Sequence, residues 1–311
     1  MTQIDNISAT RPKTGNFFVA YQQTLPAVFR HPATWLLALL WVLATGYLLT
    51  VGKATPLGFL VSGMAILLAL VAIPLTQGAP AAPWEGPVSS SMRWRLWLQC
   101  CLTILCVVAL VLLSLLATLQ IPIPLLIPFY AVLRSSGIVR LLLAFVSQAV
   151  LPLVLVFLLG ARWRELGFQK GHHSGRTTGV LSIPFIVYIV FAIIVRKITL
   201  PLLLLRFVLL FVQAGLSEEI AWRGVIMSRL TRLLGIGWGI ALSSLIFGIF
   251  HVATNIFLSG STPLVGLAQG VFGQMPAGIF LAVVFYRTRS LIPVIIPHTL
   301  TDTAVSILLA P

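Results

Sequence analysis

The chain has 311 residues, of which 59% are hydrophobic and only 8% charged, with a mean hydropathy of +1.06. This excludes a water-soluble domain of ordinary surface charge and marks an integral membrane protein. The formal charge of +14 does not point to nucleic acid, because the lysines and arginines are scattered in twos and threes between apolar runs instead of forming one patch.

Residues 1–33 lack the charged n-region, apolar h-region and small-residue cleavage site of a signal peptide, so the first span is expected to target the chain and the N-terminus to be retained. From Thr34 onward, apolar stretches of about 20 residues recur, the length a helix needs to cross a bilayer. Spans are expected near 34–51, 57–75, 97–119, 138–160, 179–195, 199–228, 237–258, 264–286 and 290–309. The fold class is therefore all-α, a polytopic bundle of about eight to nine spans, since outer-membrane strands would leave short alternating segments instead.

Between the second and third spans, QGAPAAPWEGPVSSS (77–91) reads as an irregular loop. Cys100, Cys101 and Cys106 all fall in the third span, with neither a CxxC pair nor a histidine at ligand spacing, and read as small packing residues. IPIPLLIPFY (121–130) carries three prolines, which fits a re-entrant or broken segment better than a straight span. A boundary is placed near residue 135. It separates an N-terminal membrane region of about three spans (1–135) from a core (136–311) that holds the ionisable residues expected inside the membrane. RWRELGFQKGHHSGRTTG (162–179) reads as a basic cytoplasmic loop, with His172 and His173 a solvated pair. No internal repeat supports a transporter built from inverted repeats.

With a cytoplasmic N-terminus, alternate loops carry Arg11, Lys13, Arg30, Arg93, Arg95, Arg162, Arg164, Lys170, Arg176, Arg223, Arg229, Arg232, Arg287 and Arg289, the majority of the 20 basic residues. The positive-inside rule favours that orientation, although Arg206 and Arg223 fall at membrane depth.

An ionisable group at a helix centre costs roughly 2.5–3.5 kcal/mol, so those inside the spans are expected to be paired or functional. In SEEIAWRG (217–224), Glu219 and Arg223 stand four apart on one helix face, with the acid N-terminal to the base. Adjacent helical residues are rotated by about 100°, so Glu218 points elsewhere and does not share that pair. A carboxylate left free in a low-dielectric site is a candidate general base; a plain ion-pair cluster that fixes helix packing fits the glutamates alone equally well.

The next spans add His251, in SSLIFGIFHVATN, and His298, in LIPVIIPHTLTD. Phe247 lies one turn before His251 on the same face, where it could wall a pocket and orient the ring. Asn255 and Asp302 each lie four residues after a histidine and could set its tautomer. At 1.5 Å per residue, His298, Glu218 and His251 lie roughly 14–21 Å from the nearest basic or loop residues and share one layer.

The series EExxxR, FxxxH and HxxxN-or-D on successive membrane helices resembles the CPBP family of CAAX proteases and bacteriocin-processing enzymes, also called Abi, which includes the type II CAAX prenyl endopeptidases. Here it stands as Glu218-Glu219-Ile-Ala-Trp-Arg223, Phe247-Gly-Ile-Phe-His251 and His298-Thr-Leu-Thr-Asp302, within about residues 138–309. The resemblance implies hydrolysis of a peptide bond in a peptide or membrane-protein substrate within the lipid bilayer, in a bacterial plasma membrane with the site opening to the cytoplasm. It further implies that Glu218 and His251 activate water, that Glu219 and Arg223 hold the site together, and that His298 with Asp302 supports the oxyanion. An ionised Asp302 can only accept hydrogen bonds, so it must be protonated or must orient His298 as the donor, with Asn255 a second donor candidate.

No cofactor is expected. One carboxylate with two imidazoles could alternatively form a zinc site, although the HExxH helix is absent. A catalytically silent binding or immunity protein, or a proton-coupled transporter using the same acids and histidines as a relay, also fits these residues.

Overall fold

The computed structural model describes residues 17–78, 88–134, 138–196 and 198–308. Among these the chain forms eleven helices and no strand. They are α1 (Phe17–Arg30), α2 (Pro32–Thr50), α3 (Pro56–Leu75), α4 (Ser90–Thr118), α5 (Ile127–Arg134), α6 (Ile138–Phe145, continuing to Leu158) and α7 (Ser174–Arg196). There follow α8 (Leu200–Leu234), α9 (Ile236–Ser259), α10 (Pro263–Thr288) and α11 (Ile292–Leu308). Eight of them, α2–α4 and α6–α10, are long and apolar enough to cross a membrane, which makes this a multi-pass membrane protein.

The segment expected as a ninth span forms α11, a shorter helix of 17 residues that starts only after the turn at Arg289. In the proline-rich stretch, α4 stops at Thr118, a 3₁₀ turn spans Pro124–Leu126, and the helix restarts at Ile127. That break is the one its prolines predict. The centre of the expected loop at 77–91, the boundary near 135, and Arg11 and Lys13 lie outside the described residues.

Local chemistry sets the helix ends. Thr55 and Thr262 cap α3 and α10 by accepting from Gly58 N and Val265 N, each with proline in the first turn. A single residue, Gly235, joins α8 to α9 at φ 86° and ψ 168°, a conformation that demands glycine.

The bundle is organised around the second half of α8. The first half, Leu200–Leu210, buries no residue, whereas every residue from Ser217 to Leu230 is buried. A helix segment buried all round is a bundle centre. It is enclosed by α4, α6, α9, α10 and α11. One apolar cluster joins α3, α8, α10 and α11 through Leu68, Ile220, Phe280 and Val294; a second joins α4, α8 and α9 through Val107, Trp222 and Phe247. The N-terminal spans therefore pack directly on the helices that carry the polar residues.

The basic loops meet at one end of the bundle. Arg287 donates to Thr76 Oγ1 at 2.6 Å, Gln169 Nε2 to the Arg289 carbonyl at 2.8 Å, and Arg232 approaches Glu165 at 3.7 Å. Arg229, wholly buried, donates from Nε to Gln99 Oε1 at 2.7 Å, tying α4 to the end of α8. Of the expected solvated pair, His173 is exposed and His172 half-buried: the His172 amide donates to the Thr288 carbonyl at 2.7 Å, its Nε2 lies 2.8 Å from the Gln77 carbonyl, and the His173 ring is tilted against it with centroids 3.9 Å apart. Desolvation, His172 and Arg176 hold the His173 imidazole below its ordinary pKa.

Helices α9 and α10 approach backbone to backbone. A Cβ on Gly248 would stand 2.7 Å from the Gly270 carbonyl, one on Gly278 would stand 3.0 Å from Ser244 Cα, and one on Gly270 would strike the Gly248 carbonyl. Small residues, Ser244 and Gly248 on α9 facing Gly278 and Gly270 on α10, permit this contact, as in other membrane helix pairs. Gly273, in the same turn, has nothing within 4 Å of its Cβ position. We expect Gly270→Ala to destabilise the detergent-solubilised protein by about 1–3 kcal/mol and Gly273→Ala to be neutral within about 0.5 kcal/mol, as read by thermal unfolding of the two variants. Equal behaviour would refute the close α9–α10 contact.

Candidate functional site

Ser217, Glu218 and Glu219 form one α-helical turn held between two π-helical segments of α8, Phe211–Leu216 and Ile220–Met227. Widened turns of this kind recur at functional sites. The Ser217 hydroxyl donates to the Val212 carbonyl, five residues back. Opposite this turn α11 comes close: a Cβ on Gly215 would strike Thr299 Oγ1 and stand 3.0 Å from the Ile295 carbonyl. Glycine here lets His298 reach the glutamates.

Glu219 is the hub. Its Oε1 accepts from Arg223 Nη1 at 2.7 Å and from His298 Nδ1 at 2.7 Å, with no exposure of the side chain. Arg223 is neutralised inside the protein as its spacing predicts, and its second nitrogen, Nη2, donates to the Gly278 carbonyl of α10 at 3.2 Å. Its guanidinium also lies 4.5 Å from the Phe247 ring centroid.

Glu218 has no such partner. Its Oε2 is buried and accepts no hydrogen bond, yet lies 4.0 Å from His251 Nε2 and 4.0 Å from His298 Nε2. The spacing between these atoms is too wide for direct hydrogen bonds, and both ring nitrogens flank the same carboxylate oxygen.

The main chain of α9 fixes His251. Its Nδ1 lies 2.8 Å from the Phe247 carbonyl. A carbonyl only accepts, so Nδ1 carries a proton, and Nε2, which holds a lone pair whenever the ring is neutral, faces Glu218. The helix breaks at this residue, which ends Ile236–Phe250 and precedes Val252–Ser259. Phe247 walls the site: its ring centroid lies 4.7 Å from that of His251 and 6.0 Å from that of His298.

Glu218, Glu219, Arg223, His251 and His298 are thus brought together. Asp302 stands at the margin, 3.7 Å from His298 Nε2 with its side chain one-third exposed. Asn255 is engaged elsewhere: its amide nitrogen donates to the Gly266 carbonyl at 3.0 Å, and its Oδ1 accepts from Gln274 at 3.1 Å. Sequence reasoning passed over the Gly278 and Phe247 carbonyls, which carry no residue signature, and Gln274, whose amide inside an apolar span was a usable signal. Among the described residues, no group of three or more His, Cys, Asp or Glu side chains is placed to hold a metal ion.

This arrangement separates two carboxylates by role: one takes two donors on a single oxygen, the other faces two imidazoles across a gap. Removing one partner of a buried charge pair strands the other, at a cost of about 3–5 kcal/mol. We therefore expect Glu219→Gln to destabilise the fold by about that amount, while Glu218→Gln changes stability by less than about 1 kcal/mol. Unfolding midpoints of the two variants in the same detergent test this, and equal losses would refute the division.

No curated protein and no solved structure matches the chain. Residues 200–304 do match a family model, described as type II CAAX prenyl endopeptidase Rce1-like. The matched segment takes in α8, α9, α10 and most of α11, the helices that supply all the residues described above. Across these four helices the chain carries an Rce1-like domain of the CPBP, or Abi, family of CAAX proteases.

Proposed function

We propose that this protein is an intramembrane endopeptidase in which Glu218 and His251 activate a water molecule. The observation that carries the reading is Glu218 Oε2, buried without a hydrogen-bond partner and 4.0 Å from His251 Nε2. Two acceptors at that separation suit one water donating a hydrogen to each, which leaves an oxygen lone pair free to attack a carbonyl. Glu218 takes the proton as the oxygen–carbon bond forms, then delivers it to the departing amine as the carbon–nitrogen bond breaks.

In this mechanism His298 stabilises the intermediate. Its Nδ1–H is held by Glu219, so its orientation is fixed, and Nε2 turns towards Glu218 and Asp302. With Nε2 protonated, the ring offers a donor to the developing oxyanion while Asp302 supports it from the margin, 3.7 Å away. Asn255 is a weaker candidate donor because its amide is already engaged. Glu219 and Arg223 serve as positioning residues. The substrate is a peptide or membrane-protein segment, prenylated or not, and the basic end of the bundle faces the cytoplasm. The spans before residue 135 act as a scaffold that braces α8 through Gln99 and Arg229.

The test is cleavage in proteoliposomes of a panel of prenylated and unmodified membrane peptides. Glu218→Gln and His251→Ala are each expected to lower turnover by about 10²–10⁴-fold while retaining the wild-type unfolding midpoint. Wild-type processing by both variants would overturn the mechanism. Stoichiometric metal in the purified protein, with activity lost on chelation and restored on return of the metal, would replace it with a metal-assisted one.

A further inference from the structure

A line of polar side chains runs from the site towards the end of the bundle opposite the basic loops. On α9, His251, Asn255 and Ser259 repeat every four residues and so share a face about 12 Å long. On α10, Gln274 and Gln269 oppose them. Asn255 and Gln274 exchange amide hydrogen bonds at 3.1 and 3.4 Å; Ser259 donates to the Asn255 carbonyl at 2.6 Å, and its Oγ lies 3.3 Å from Gln269 Oε1 and 2.5 Å from Ser261 Oγ. Ser261 belongs to the loop between α9 and α10, and α9 starts and α10 finishes at the basic end, so the line leads away from that end.

His251, Ser259, Gln269 and Gln274 are all partly accessible, although each sits within an otherwise apolar span. Polar groups facing hydrocarbon are costly, and accessible ones inside spans line water-filled crevices. The outward neighbours Phe257 and Leu258, at 67% and 63% exposed, mark the lipid face beside them.

We propose that this line is the path by which water enters the site, with Asn255, Gln274, Ser259 and Gln269 as its walls. The idea rests on the hydrolytic reading, since a hydrolase must resupply one water for each bond cut. The amide pair between Asn255 and Gln274 bridges α9 and α10 between Ser259 and His251 and is therefore the control point.

Thiol accessibility tests the path without any substrate, so its failure stays distinct from failure of the protease assay. With Cys100, Cys101 and Cys106 replaced by alanine, single cysteines are placed by Ser259→Cys, Gln269→Cys, Asn255→Cys, by Phe257→Cys on the lipid face and by Ser261→Cys in the loop. A charged, membrane-impermeant methanethiosulfonate is added to sealed vesicles of either orientation, and only folded protein that elutes as wild type is scored. Thiols react as thiolates, which form in water, so the three track positions should be modified at least about tenfold faster than Phe257→Cys. They should react from the side opposite the basic loops, and adding Gln274→Leu should slow Asn255→Cys while leaving Gln269→Cys unchanged. Track positions as slow as Phe257→Cys, with Ser261→Cys reacting freely, would show a dry helix contact and overturn the proposal. Preferential reaction from the basic side would overturn it equally.

Discussion

One carboxylate oxygen, Glu219 Oε1, holds four helices in register. It takes hydrogen bonds from Arg223 on its own helix and from His298 on α11, and Arg223 passes the restraint on to the Gly278 carbonyl of α10 and to the Phe247 ring of α9. A fully buried anion is tolerable only when its desolvation is offset by close donors, so none of these helices can shift independently without stranding a charge in the bundle centre. Glu218 inherits its position from this lock, being the preceding residue in the same turn.

The lock needs helices closer together than ordinary side chains allow. Gly215 admits Thr299 and Ile295 of α11, and Gly248 with Gly270 admits the α9–α10 contact. Lipid supplies no hydrophobic drive between apolar helices, so close packing and polar pairs must hold the bundle together. The same residues that shorten these distances also bring the polar groups within reach of one another, which makes the packing of α8–α11 and the geometry of the site a single problem.

Much of this was legible in the sequence, because each legible part depends on local spacing or composition. Hydropathy located the eight long spans, and the four-residue spacing of Glu219 and Arg223 foretold their pairing. Other parts were not legible. The π-helical segments on either side of Ser217–Glu219 change which residues share a face, and no residue type marks them. His251 looked to Asn255 for its orienting partner, but a backbone carbonyl four residues earlier holds it and Asn255 turns to α10. Carbonyls are present at every position, so only the folded chain selects one. α11 was expected to match the other spans in length and is shorter, its start set by the left-handed turn at Arg289.

The two histidines make the final asymmetry. Each commits Nδ1 to a fixed acceptor and turns Nε2 towards the same Glu218 oxygen, but the acceptors differ: a neutral carbonyl for His251, a carboxylate already bound to arginine for His298. The His251 ring is braced by a neutral carbonyl, whereas the His298 ring has a carboxylate oxygen 2.7 Å from Nδ1 and another 3.7 Å from Nε2. On the proposed mechanism, one imidazole therefore accepts from water while the other donates to the oxyanion, across a single carboxylate. The opposition arises from what stands behind each ring, so exchanging the acceptors behind them would undo the site even with every named side chain still in place.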